Sequence, residues 1–254
     1  MRSGSLVAMD LHVHTALSPC AAAEMVPPAM LLAAERGGVA VLGVVDHSSA
    51  GNAAAVLEAA PAFDVAVLVG LEVESVEGVH LLALFATAAA ATAFGALVAT
   101  HLPPLRNRPD LFGEQMLVNE WGEVVAEESR LLAVATDLGV EEVADLILAH
   151  EGLCVAAHVD RTANGLLPTL GFVPPRLHLD GLELSRFTSP AAALARWPEL
   201  RRQPLLQSSD AHCLAEIGCV RTLVPAELGS PGNALQDWGR ALAEFLKEVT
   251  SRHA

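Results

Sequence analysis

The sequence predicts an α/β protein assembled from parallel βα units, as a barrel or a doubly wound sheet. Three observations lead there. Short apolar runs of strand length alternate with helical periods along the 254 residues. A hydrophobic fraction of 52% is ample for a large core. The apolar runs also end, again and again, in histidine or a carboxylate, where parallel α/β barrels build their sites. One domain spanning residues 1–254 fits this length, since α/β barrels commonly reach it.

The elements follow in order. Apolar runs at residues 6–11, 39–45, 65–71, 79–85, 153–157, 181–184, 205–208 and 220–224 are read as strands. Helical periods lie between several of them, at 27–36, 53–60, 129–138 and 141–150. A last amphipathic helix, 233–249 (232–250 with its flanks), is expected to pack on the barrel. It carries Leu235, Trp238, Leu242, Phe245, Leu246 and Val249 at helical spacing. Residues 87–128 break the rhythm. An Ala/Thr-rich helix there leads through "HLPPLRNRPDLFGEQ" to a hairpin, 116–118 and 123–126, around the turn "NEWG". This stretch is read as an insertion, a candidate lid over the site.

Charge and cysteine usage narrow the function. The formal charge is −15 and Lys247 is the only lysine; such a chain repels nucleic-acid backbones, so only short oligonucleotides fit among nucleic-acid partners. Converging carboxylates would instead attract metal ions. Cys20, Cys154, Cys213 and Cys219 show no CxxC spacing, which suggests reduced thiols in a cytoplasm. "MRSGSLVAMDLH" lacks a signal-peptide pattern, and no apolar stretch reaches membrane-spanning length. A soluble intracellular protein without a membrane partner is therefore expected. No G-x-S-x-G, Walker A or dinucleotide glycine motif appears.

The chemistry gathers at strand ends. His12 and His14 close the first run, Asp46 and His47 the second, Glu72 the third; His158 follows "LCVAA", and Asp210 and His212 close "LLQSS". Residues i and i+2 of a strand point the same way, so His12 and His14 can share one ion, and so can Asp210 and His212. Asp46 and His47 point apart: His47 is taken as the ligand, and Asp46 as a residue that orients a ligand by hydrogen bonding. Glu72 is the natural bridge between two ions. His80 opens its strand rather than closing it, and needs a reversed chain direction or a strand that starts near the site. Imidazole with carboxylate fits Zn, Mn or Fe rather than Ca. One HxH pair is usually a coincidence of composition; ligand types at successive strand ends are not. His101, His150, His178 and His253 sit in helix termini, a Pro-rich stretch or the tail, and are read as exposed or capping. Cys20 lies close enough to the ions to ligate one, while Cys213 and Cys219 are read as packing residues.

These residues resemble the PHP (polymerase and histidinol phosphatase) family of metal-dependent phosphoesterases. "DLHVHTALS", "GVVDHSS", "AAHVDR" and "SSDAHCLAEIG" resemble its four motifs in order, with "GLEVES" and "VHLLALF" between them, over roughly residues 8–225. The resemblance implies an α/β fold, a distorted TIM-like (β/α)7 barrel holding two or three divalent ions. By position, His12, His14, Glu72 and Asp210 would bind one ion, Glu72, His80 and His158 a second, and His47 and His212 a third. Some members carry a further histidine after the first motif; here the stretch reads "SPCAAAE", so either Cys20 replaces it or the third site is weak. The likeness is to stand-alone bacterial members. Family substrates include histidinol phosphate, nucleoside phosphates and bisphosphates, and oligonucleotide ends.

The expected reaction is hydrolysis of a small phosphomonoester by a metal-bridged hydroxide, with Glu72 and Asp210 holding the ions. Arg161 is the first choice for gripping the phosphate and Arg186, in "ELSRF", the second. An amidohydrolase, a single-strand exonuclease and a non-catalytic metal-binding regulatory protein are the rival readings. Oligomeric state is not legible.

Overall fold

A computed structural model describes residues 5–231 and 235–252. Eight strands form one curved sheet: β1 (Leu6–Val13), β2 (Val39–His47), β3 (Ala66–Glu74), β4 (His80–Phe85), β7 (Leu153–Ala156), β8 (Gly181–Leu184), β9 (Leu205–Gln207) and β10 (Thr222–Pro225). Their order across it is β10-β1-β2-β3-β4-β7-β8-β9. The remaining pair, β5 (Met116–Val118) and β6 (Val124–Glu127), is a separate hairpin. The ring nearly closes. Past β9, Ala211 bridges to Val13, with His14 N donating to Ala211 O at 3.0 Å and Ala211 N to His12 O at 3.2 Å. At the remaining gap the Thr222 side chain binds the Gln207 backbone in both directions, at 2.8 and 2.9 Å.

The strands alternate between two cores, as a period of two requires. Met9, Leu11, Val41, Val45, Leu68, Leu82, Leu84 and Val155 fill the inside of the ring. Leu42, Val44, Val69, Leu71, Leu81, Ala83 and Phe85 face outward to the helices, joined by Val13 beyond an irregularity in β1 between Asp10 and Val13. Those helices are α1 (Pro27–Arg36), α2 (Ala53–Ala59), α3 (Ala88–Thr100), α5 (Val140–Ala149), α6 (Leu166–Leu170) and α7 (Pro190–Arg196). The last, α8 (Leu235–Arg252), does something different: Leu235, Trp238, Leu242 and Leu246 plug the interior cluster. Gly239 lies against Leu153 at the start of β7, and Leu205 N at the start of β9 donates to Thr250 Oγ1. α8 thus seals the end of the ring opposite the carboxyl ends of the parallel strands. Residues 232–234 of the expected helix and its flank, and His253, lie outside the described residues.

Three features depart from the sequence reading. Not every strand is parallel: β3–β4, β4–β7 and β1–β10 pair antiparallel. Residues 129–138 form no helix, because their backbone bonds go sideways: Leu131 N to Leu105 O, Leu132 N to Gln115 Oε1, Thr136 N to Glu74 O. And the stretch 87–128 is two things. α3 buries Ala91, Phe94 and Val98 against the sheet as a barrel helix does. Only the segment after it, with the short α4 (Pro109–Phe112) and the β5–β6 hairpin, stands apart. Even that is pinned to the rim, Met116 N to Ala16 O at 2.8 Å and Val118 N to Asn52 Oδ1 at 2.9 Å. Among the described residues no helix is long and apolar enough to cross a membrane.

Candidate metal centre

The eight residues singled out as ligands meet at one rim although they span two hundred positions of chain. β1, β2 and β3 deliver His12, His14, His47 and Glu72 from their carboxyl ends, and the loops after β7 and β9 deliver His158, Asp210 and His212. β4 runs antiparallel to β3, so its first residue, His80, sits beside the last, Glu74. That reversal brings His80 to the rim. The chain bends sharply there: His158, Asp210 and Ser48 have φ of 29°, 51° and 47°. Such backbone costs about 1–3 kcal/mol per residue and persists only where its surroundings hold it. Here they do. His158 N donates to Glu183 Oε1 at 3.0 Å, Ser48 N to Glu72 O at 2.9 Å, and Ser209 N, beside Asp210, to Asp10 Oδ1 at 2.9 Å.

The separations are those of ligands around common ions. His12 Nε2 and His14 Nε2 are 3.1 Å apart, and Asp210 Oδ1 stands 3.3 and 3.5 Å from them. Glu72 reaches the same two nitrogens at 3.5 Å with one oxygen each. Two ligands about 2.0–2.1 Å from one tetrahedral ion stand roughly 3.3–3.4 Å apart. Glu72 Oε1 also meets His80 Nδ1 at 2.6 Å and His158 Nε2 at 3.2 Å, and its Oε2 meets His47 Nδ1 at 3.0 Å. His14, His47 and His212 form a further group whose nitrogens lie within 4.8 Å of one another. Three clusters of metal-ligand types therefore share one centre, so several ions fit it.

Protein acceptors fix which ring nitrogen faces the centre. His12 Nδ1 donates to Glu183 Oε1 (3.1 Å), His14 Nδ1 to Ser18 Oγ (2.9 Å) and His212 Nδ1 to Asp210 O (2.9 Å). In each ring Nε2 is left for the site. Ser18 in turn donates to Asp46 Oδ1 at 2.7 Å, and Asp46 also takes Thr15 N and Oγ1 at 2.7 and 2.6 Å. Asp46 thereby holds His14 through a serine.

The charges settle unevenly. Burial lifts the carboxyl of Glu72, but the His80, His12 and His47 rings hold it well below the usual range. Asp210 is likewise held down, against burial, by His12 and a hydrogen bond from His14. Burial lowers His12, yet Glu183, Asp210 and Glu72 around it raise it well above the ordinary histidine value. His14 goes the other way, lowered by burial and by its neighbours His212 and His47.

Beside the centre lies a cleft of about 300 Å³ lined by His158, Arg161, Glu183, Arg186, Phe187 and Asp210 among others. Both arginines are already paired: Arg161 Nη1 with Asp210 Oδ2 at 2.8 Å, Arg186 Nη1 with Glu216 Oε1 at 2.7 Å. Two buried polar atoms on the cleft residues, His158 Nδ1 and Glu183 Oε2, have no hydrogen-bond partner among the described residues. Cys20 is exposed as a residue, but its Sγ lies 3.3 Å from His47 Nε2. Burial raises that thiol, and hydrogen bonds with His212 and His47 outweigh it, lowering it to about 6.

His101 and His150 cap α3 and α5, and His178 is exposed. Cys219, read as a packing residue, is exposed instead, because the turn at Gly218 lies at the surface; Cys213 is half-buried. The sequence reading misses Glu183, although an acid closing the run 181–184 carries the same strand-end signal as Glu72. It misses Asp10 too, which accepts from Ser209 Oγ at 2.6 Å and Gly218 N at 2.8 Å and so steadies the turn that presents Asp210.

No family model and no curated protein matches the sequence. Solved structures do match its fold. A lesion-specific endonuclease from Pyrococcus furiosus superposes with a TM-score of 0.63 at 21% identity, covering 83% of this chain and 49% of that one. The chain thus spans about half that enzyme's length. A two-domain protein from Bacteroides vulgatus, described as containing a PHP-like metal-dependent phosphoesterase, matches at 0.56 and 12% identity, covering 94% of this chain and 64% of that one. An amidohydrolase from Chromobacterium violaceum, solved with sulfate and no metal, matches at 0.57 and 19% identity over 94% and 96% of the two chains. The chain has the PHP-like fold of these structures, with His, Glu and Asp clusters of metal-ligand type at one rim.

Proposed function

We propose that the protein is a metal-dependent phosphoesterase that hydrolyses a small phosphomonoester. One observation carries the reading: His12 and His14 stand 3.1 Å apart and each within 3.3–3.5 Å of both Asp210 and Glu72, next to a cleft whose arginines are Arg161 and Arg186. Ions held there supply a water of lowered pKa and positive charge toward phosphoryl oxygens. The chain's own residues do the rest. Glu72 and Asp210 hold the ions with the six histidines, and Glu183, Ser18 and Asp46 keep the rings in register. Arg161 binds the phosphate as a planar fork of donors, exchanging one oxygen of Asp210 for the substrate's. Arg186 meets the part of the substrate farther out. A net charge of −15 favours a small phosphate over a long polyanion, even though one structure of like fold is an endonuclease.

The likeness to an amidohydrolase supports a second reading. The test is phosphate release with Mn²⁺ or Zn²⁺ from nucleoside mono- and bisphosphates, sugar phosphates, histidinol phosphate and a short oligonucleotide. N-acyl amino acids run in parallel, with Asp210→Ala as the blank. Turnover of one small phosphoester, abolished in the blank and reduced at least about tenfold in kcat/KM by Arg161→Ala, is the expected result. Amide cleavage without phosphate release moves the assignment to an amidohydrolase. Metal-loaded protein inert to both moves it to a metal-binding regulator.

A further inference from the structure

We propose that the Cys20 thiolate is a ligand of the ion held by His47 and His212, making that position a nitrogen–sulfur site that takes zinc in preference to manganese or magnesium. The inference rests on the metal-dependent reading of the centre. Cys20 Sγ is 3.3 Å from His47 Nε2, and His212 lies near enough to act on the same thiol. A sulfur about 2.3 Å and a nitrogen about 2.0–2.1 Å from one tetrahedral ion stand roughly 3.5 Å apart. His212 has its Nδ1 engaged by Asp210 O, so Nε2 is the atom it can offer. Independently of the cysteine, the nitrogens of His14, His47 and His212 already fall within 4.8 Å of one another.

The placement of the thiol is built into the backbone. Ala21 N donates to Ser18 O at 2.9 Å, closing the turn around Cys20. Ala22 N donates to His212 O at 2.8 Å and His47 N to Ser18 Oγ at 3.1 Å, tying the two sides of that turn to the residues that carry the imidazoles. The two other ligand groups contain only nitrogen and oxygen, which suit manganese as well as zinc. A thiolate changes that balance at one position, because soft sulfur favours zinc, cobalt or iron over manganese and magnesium.

The experiment uses Co²⁺ as the probe. Metal-depleted protein is titrated with Co²⁺, and near-ultraviolet absorption is followed alongside metal content by elemental analysis, in the wild type, Cys20→Ser, Cys20→His and Cys213→Ser. The expected result is a thiolate-to-cobalt charge-transfer band in the wild type and in Cys213→Ser, lost in both Cys20 variants. Bound zinc falls by about one equivalent in Cys20→Ser and returns in Cys20→His, while bound manganese rises in Cys20→His. Full cobalt uptake without the band overturns the thiolate ligand and leaves the metal centre standing. No uptake at all overturns both. Cys20 is exposed, so these variants leave the core untouched.

Discussion

Each of His12, His14 and His212 spends one ring nitrogen on a protein acceptor and keeps the other for the centre. Glu183, Ser18 and the Asp210 carbonyl are those acceptors. The consequence is testable at Glu183, which lines the cleft and accepts from both His12 Nδ1 and His158 N. Glu183→Ala frees both and should weaken metal affinity about 10–100-fold, with Glu183→Gln recovering part of it. Competition against a chromophoric chelator reads the affinity, and circular dichroism shows whether the fold is kept. Unchanged affinity in a folded Glu183→Ala protein would sink the assigned role. At this scale the sequence is most legible for ligand types at strand ends. It is least legible for Asp10, Ser18 and Glu183, whose roles depend on partners up to 208 positions away in sequence.

Among the elements, strand direction does the most for the site. Parallel β1, β2 and β3 place their last residues on one rim, and β4 joins them only by running backwards. The approach of β3 to β4 is tight at Gly70, where an added Cβ would stand 1.7 Å from Ala83 O. Gly70→Ala must push the two strands apart just below Glu72 and His80. A stability loss of at least about 2 kcal/mol is expected, read as a lower melting temperature, together with weaker metal binding. A variant as stable as the wild type would mean that the approach is looser than described. Residues 129–138 teach the complementary lesson. Their apolar spacing suits a helix, but Leu105, Gln115 and Glu74 offer acceptors to their N–H groups from other segments, and these win.

For the whole molecule, metal binding at the centre is expected to stabilise the fold as well as to build the site. With 30 acidic against 15 basic residues, the folded chain concentrates carboxylates that an ion would neutralise. Zinc or manganese at a hundred times its dissociation constant adds about 2.7 kcal/mol, roughly 5–10 °C in melting temperature for a chain of this size. Chelation should reverse that shift, and Asp210→Ala should shrink it; a melting temperature blind to metal in the wild type would contradict the metal centre itself. The sequence by itself determined the α/β class, most strand positions and the ligand types, because period and composition are local properties that the chain carries wherever it folds. Only the tertiary structure decided the direction of β4, the sealing of the ring by α8 and the partners that orient each imidazole. Those depend on which distant segments become neighbours, and a hydrogen bond between Asp10 and Gly218 leaves no local trace in either stretch of chain.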